Sequence, residues 1–189
     1  MSRFLLITLI ALLAPVACRA APAWTLAPAE SHLGFQVSQA GGAIQGSFRR
    51  FDATIAFDPR DLATLRVQVS IDIASVTTGA AERDQELPKP EWFDVARFPH
   101  ATFTAERFRA LDENNYVAEG ALALRGAKVP VSLPFTLALQ ADGSAIVQGK
   151  VDLDRATFGV GQGEWATSDV VGRKVTVIVR LKAQRASGS

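Results

Sequence analysis

The sequence predicts an all-β domain, an eight-stranded antiparallel barrel with a short helical insertion near residues 80–95. Three observations predict it. Apolar and polar residues alternate along most of the chain, the period of a strand with one buried face. The alternating runs are joined mostly by short turns, which favour antiparallel neighbours. Only one stretch, Arg83 to Phe103, breaks the alternation for long. A two-sheet sandwich is the alternative, but several runs reach about ten residues, which suits tilted barrel strands.

At 189 residues and 48% hydrophobic, the chain can build one substantial core. Phe4 to Val16 is an apolar run after Arg3 that ends in the small residues Ala17, Cys18, Ala20 and Ala23. This is the pattern of a secretory signal peptide, too short for a membrane anchor. Cleavage is expected after Ala20, or as late as Ala23. The domain is then expected over 24–183, with a flexible tail over 184–189. Cys18 is the only cysteine. It is either lost with the signal or lipidated after cleavage just before it. Bacterial lipoprotein signals usually carry leucine three places earlier, and Pro15 stands there, which argues against lipidation. The mature chain then has no disulfide. Removing residues 1–20 takes away Arg3 and Arg19 and no acid, which turns 20 basic against 19 acidic residues into 18 against 19, a net charge of −1. That argues against a general nucleic-acid binder, which should be clearly basic.

Trp24 to Leu26 begins a strand that Pro28 breaks. Leu33, Phe35 and Val37 share one face of the next run. Ile44 to Phe57 comes after it, with Phe51, Ala53, Ile55 and Phe57 aligned. Val67, Val69, Ile71 and Ile73 give the clearest period-two signal. After the central stretch, alternation resumes over Thr102–Phe108, Tyr116–Leu124, Val129–Leu139, Ala145–Leu153 and Val175–Leu181. Pro130 and Pro134 place the third of these at an edge or bulge. Asp112–Asn115, Arg125-Gly126 and Asp142-Gly143 read as turns.

In the central stretch, Ala80–Glu86 predicts a short helix, and Pro88, Pro90 and Pro99 break the chain beyond it. Trp92 and Phe93 either plug a barrel end or frame a cavity mouth. By strand parity, Phe35, Val37, Phe57, Val69, Ile71, Phe103, Leu122, Phe135 and Val177 point inward together. They crowd a filled core or line an apolar tunnel, and composition leaves both open. Arg83 and Lys128 are candidates for meeting a ligand's head group, although Arg83 has Asp84 and Glu86 as neighbours to pair with.

The catalytic inventory is poor. His32 and His100 are the only histidines, and no HExxH, CxxC or GxSxG pattern is present. Ser31 and His32 are adjacent, hence on opposite faces of a strand. Neither a catalytic residue nor a metal ligand set nor a cofactor motif is assigned. The Gly159–Gly163 loop leads to another strand and not into a helix, so it is no dinucleotide fingerprint.

Several pieces in order carry a family resemblance: Ser31-His32-x-x-Phe35, Gly46-x-Phe48, Phe57-Asp58-Pro59, Ser75-Val76-x-Thr78 and Arg83-Asp84-x-x-Leu87. After them come Trp92-Phe93-Asp94-Val95-x-x-Phe98-Pro99-x-x-x-Phe103, Gly120-x-Leu122-x-Leu124-x-Gly126 and Phe158-Gly159-Val160. The chain resembles the YceI-like family of secreted, lipocalin-like, polyisoprenoid-binding proteins. The resemblance implies a lipocalin-like barrel whose apolar tunnel holds an isoprenoid lipid, a polyprenyl phosphate or a quinone-type tail. It implies a periplasmic binding or carrier protein and not an enzyme. The Gly159–Trp165 loop resembles a subset associated with membrane cytochrome b561 partners, so an interaction module docking such a protein is an alternative. A third reading is an enzyme acting on a lipid head group at the barrel mouth. The sequence departs from the common pattern at Gln39 and at Arg125–Pro130, where many members carry a histidine.

Overall fold

The computed structural model describes residues 22–58, 61–167 and 170–186. The predicted signal peptide, with Cys18, lies outside them. Among the described residues there are eleven strand segments. The first six are β1 (Ala23–Leu26), β2 (His32–Gln39), β3 (Gly42–Phe48), β4 (Phe51–Ala56), β5 (Arg66–Asp72) and β6 (Val76–Thr77). The helix α1 (Ala81–Glu86) is next. Then come β7 (His100–Ala110), β8 (Asn115–Leu124), β9 (Ala127–Leu139), β10 (Ala145–Asp154) and β11 (Val171–Arg185).

These segments make the eight barrel strands of the sequence reading, because the first three strands are each interrupted once. β1 and β2 are one strand broken at the 3-10 turn Pro28–Glu30. β3 and β4 are one strand broken at Arg49 and Arg50, and β5 and β6 one broken at the turn Ile73–Ser75. All pairings are antiparallel, and the ring closes where β11 pairs with β1 and β2 on one side and β10 on the other. The breaks have local causes. Pro28 has no N–H for the ladder. The Ser31 hydroxyl mends the gap, donating to Ala27 O at 2.8 Å and accepting from Lys182 N–H at 3.0 Å. At the third break the Asp72 carboxylate accepts the Ala74 N–H at 3.0 Å and folds the chain into its turn.

The prolines of β9 sit where their missing donors do least harm. Leu137 N–H donates to Asn114 O on the β8 side. Odd β9 residues therefore bond toward β8, and even ones, including Pro130 and Pro134, face β10. The β9–β10 ladder covers only Phe135–Leu139. Both prolines thus lie along an unpaired edge, as expected of strand prolines. At the other end of the sheet, β11 runs past residue 183. Gln184 pairs with Thr25 and Arg185 with Trp24, so the predicted tail over 184–189 begins too early. The ladder offered by β1 holds those residues in register.

The barrel has two unlike ends. One, the floor, carries the β7–β8 and β9–β10 turns and a packed cluster of Trp24, Phe57, Leu65, Tyr116, Phe135 and Leu137. The other, the mouth, carries the β2–β3 turn at Ala40-Gly41, the β8–β9 turn at Arg125-Gly126, the helical insertion and the β10–β11 connection. Both mouth turns have positive φ at their two central residues, the hairpin geometry that matches the strand twist.

Candidate functional site

A cavity of about 410 Å³ runs inside the barrel, and its wall is almost wholly apolar. Phe35 and Val37 from β2, Val69 and Ile71 from β5, and Phe103 from β7 line it. So do Leu122 from β8, Phe135 from β9, Val177 from β11 and Phe57 just after β4. Trp92 and Phe93 reach it from the insertion. The structure thus brings all eleven apolar residues of the sequence reading onto one wall. Alternation is the cause, since each strand sends every second side chain inward.

Burial varies along this wall. Trp24, Phe57 and Phe135 near the floor are less than a tenth exposed, as are Leu33, Ile71 and Trp92 farther up. Phe35, Val37, Phe48, Phe93, Leu122 and Val177 face inward yet are only half-buried. Gly46 shapes this part of the wall, because a Cβ there would overlap the Phe35 ring. The ring lies across the β3 backbone and packs 5.8 Å from Phe48, which meets Phe93 at 6.0 Å.

Polar groups on the wall gather at the mouth: Gln39, Thr78, Glu82, Arg83, Glu86 and Arg155. Arg83 makes no ion pair among the described residues, and its Nε–H donates to the Thr78 hydroxyl at 3.2 Å. The neighbouring acids are engaged elsewhere. Glu86 meets Lys89. Asp84 accepts from the Thr77 hydroxyl, the Thr78 N–H and the Thr78 hydroxyl at 2.6–2.7 Å, which ties α1 to β6. The Thr77 bond is the main cause that holds the Asp84 carboxyl below the usual range, with burial acting the other way. Lys128, the second head-group candidate, is not at the cavity. It is exposed, one place out of phase with the inward-packing Ala127 and Val129, so its parity sends it outward.

The mouth is closed by two segments that hold each other. Residues 87–99 form one, and the chain after β10 forms the other. Gln162 N–H donates to Glu91 O at 2.7 Å, and the Arg125 guanidinium donates to Pro90 O. Trp92 and Trp165 pack 5.5 Å apart, with Phe158 and Val160 buried beside them. Arg155, 4% exposed, lies beneath. Its five N–H groups reach six backbone carbonyls, those of Val160, Gly161, Trp165, Thr167, Val171 and Gly172. Its guanidinium stands 5.8 Å over the Trp92 ring. Sequence reasoning missed Arg155. The only signal was indirect: a loop with Gly159, Gly161 and Gly163 leaves carbonyls without ladder partners, and one arginine precedes it.

His32 and His100 are exposed at the starts of β2 and β7, and neither lines the cavity. His100 is the first residue of β7. Among the described residues no three His, Cys, Asp or Glu side chains are grouped to hold a metal ion.

A closed antiparallel barrel around an apolar cavity makes this a lipocalin-like protein in architecture. More closely, the chain belongs to the YceI-like domain family, whose match covers residues 24–183. UPF0312 protein ECA1782 of Pectobacterium atrosepticum is 39% identical over 99 residues, 52% of this chain and 51% of that one. Protein YceI of Salmonella arizonae is 37% identical over 99 residues, with 52% and 51% covered. The matched region thus spans about half the length of these relatives. Among solved structures, Burkholderia cenocepacia BcnA superposes with a TM-score of 0.81 at 29% identity, over 84% of this chain and 99% of that one. A polyisoprenoid binding domain from Saccharophagus degradans, implicated in plant cell wall breakdown, has a TM-score of 0.71 at 18% identity, over 87% and 99%. That second likeness speaks for the fold alone.

Proposed function

We propose that this protein binds an isoprenoid lipid, with the tail inside the barrel and the head group at the mouth. The observation that carries the reading is the apolar cavity of about 410 Å³, whose polar wall residues all lie at one end. That is the polarity of a prenyl lipid. Burial supplies the driving force, at about 0.8 kcal/mol per CH₂ removed from water. The half-buried state of Phe35, Phe93 and Val177 supports it, since a tail would cover their remaining surface. The protein acts as a binding or carrier protein and not as an enzyme, exported to the periplasm by the signal over 1–20. Gln162, Gly163 and Glu164, exposed on the outer side of the mouth, are the surface a membrane cytochrome b561-type partner would meet.

The test is to strip the mature protein of lipid and titrate it with a prenyl quinone and a prenyl phosphate, following Trp92 and Trp165 fluorescence. Saturable binding of one molecule per chain is expected for at least one of them. No saturation with either would defeat the reading.

A further inference from the structure

We propose that the floor of the barrel sets the length of the tail the protein encloses, with Trp24, Phe57 and Phe135 as the stop. This rests on the lipid-binding reading. The cavity lining includes all three rings, Ala118 above them and Leu137, Ala145 and Ala183 nearer the β9–β10 turn, but not Tyr116 or Leu65. All of these are less than a tenth exposed and pack in one cluster. The cavity therefore ends at a packed layer and does not continue as an open tunnel.

The layer is rigid for stated reasons. Tyr116 stacks on Phe135 at 5.5 Å and meets Phe57 edge-on at 6.4 Å, and Phe108 meets Phe135 edge-on at 6.4 Å. Such pairs resist displacement beyond their area burial. Trp24 Nε1–H donates to the Phe57 backbone O at 2.9 Å, which fixes the indole ring, and the Arg185 guanidinium stands 5.5 Å over it. Trp24 is also held by ladders on both sides of β1. A prenyl tail advancing from the mouth meets closed aromatic edges here, whereas Phe35, Leu122 and Val177 above are half-buried and free to take contacts.

The cavity of about 410 Å³ ends at the floor and so encloses only a limited number of isoprene units. Each carbon buried is worth about fourfold in affinity before ordering costs. Affinity should therefore climb steeply with each unit until the floor is reached. Further units stay in the mouth or outside and add little.

The experiment is a ladder of prenyl alcohols with two to twelve isoprene units, titrated into the delipidated protein, the Phe135→Ala variant and the Ala118→Leu variant. In the unaltered protein affinity should rise at least tenfold per unit over the short members, then change less than twofold per unit once the tail reaches the floor. Phe135→Ala opens space for about one further unit and should move the break up by one. Ala118→Leu adds bulk above the floor and should move it down, and it keeps the test alive if Phe135→Ala does not fold. A break that stays put in a folded variant would overturn the stop, as would affinity that climbs through twelve units. Absence of binding by every member would instead defeat the lipid-binding reading itself.

Discussion

Six backbone carbonyls meet one guanidinium at Arg155, and among the described residues no carboxylate is a hydrogen-bond partner of it. Lysine has three donors at a single point and cannot span such a set. Arg155→Lys should therefore leave buried carbonyls unpaired and lower stability by about 2–4 kcal/mol, read from denaturant midpoints, with faster lipid loss from the loosened mouth. A variant as stable as the parent would show that the carbonyls find water instead. Asp84 is the other fixed point. Its carboxyl is held lower in the folded chain than in the unfolded one. A group so held favours folding once ionised. Its contribution is complete above the unfolded value of about 3.9 and disappears as pH falls through the folded value. Asp84→Asn should cost about 1–3 kcal/mol at neutral pH, and the gap should shrink as the pH is taken into the acid range below the unfolded value. A gap that stays constant down to the acid limit would remove ionised Asp84 from the account. Neither role is legible in the sequence, because both depend on partners brought in by the fold and on no motif.

At the scale of elements, strands are easier to read than the segments that join them. Val67, Val69 and Ile71 on β5 advertise their inner face by strict alternation, and that face is where they stand on the cavity wall. The breaks at Arg49-Arg50 and Ile73–Ser75 are marked only by a change of parity: Ile44 and Phe48 line the cavity before the first and Phe51 and Ile55 after it, and Ile71 and Ile73 up to the second and Thr78 after it. Lys128 misleads for a related reason. Its charge makes it a candidate, whereas parity decides where a strand residue points. The insertion is legible as an irregular stretch, but not that it shares the mouth with the chain after β10. That pairing predicts a mechanical result. Trp92→Ala should empty the space between Trp165, Phe158 and the Arg155 guanidinium, cost about 3–5 kcal/mol in stability and release bound lipid faster. Phe93→Ala should also weaken retention, through lost wall area beside Phe48. Arg83→Ala should change retention only for a lipid whose head group accepts its donors. Unchanged lipid release from folded Trp92→Ala would end the idea that this ring holds the mouth shut.

For the whole molecule, the fold class and family are open to reading because alternation and the Trp92–Phe103 motif are local properties of the chain. Whether the barrel is filled or hollow is not. The same phenylalanines serve either outcome, and only the closed ring of strands fixes how far apart opposite walls stand. Here side chains pack closely at the floor around Phe135, while Phe35 and Val177 on the wall above remain half-covered. The central claim is that an isoprenoid tail occupies that space. The most direct measurement is to purify the protein from its own cells, extract it with organic solvent and identify and weigh the material released. One prenyl lipid per chain is the predicted result. Protein that releases none, and that does not acquire one when incubated with membranes from the same cells, would contradict it.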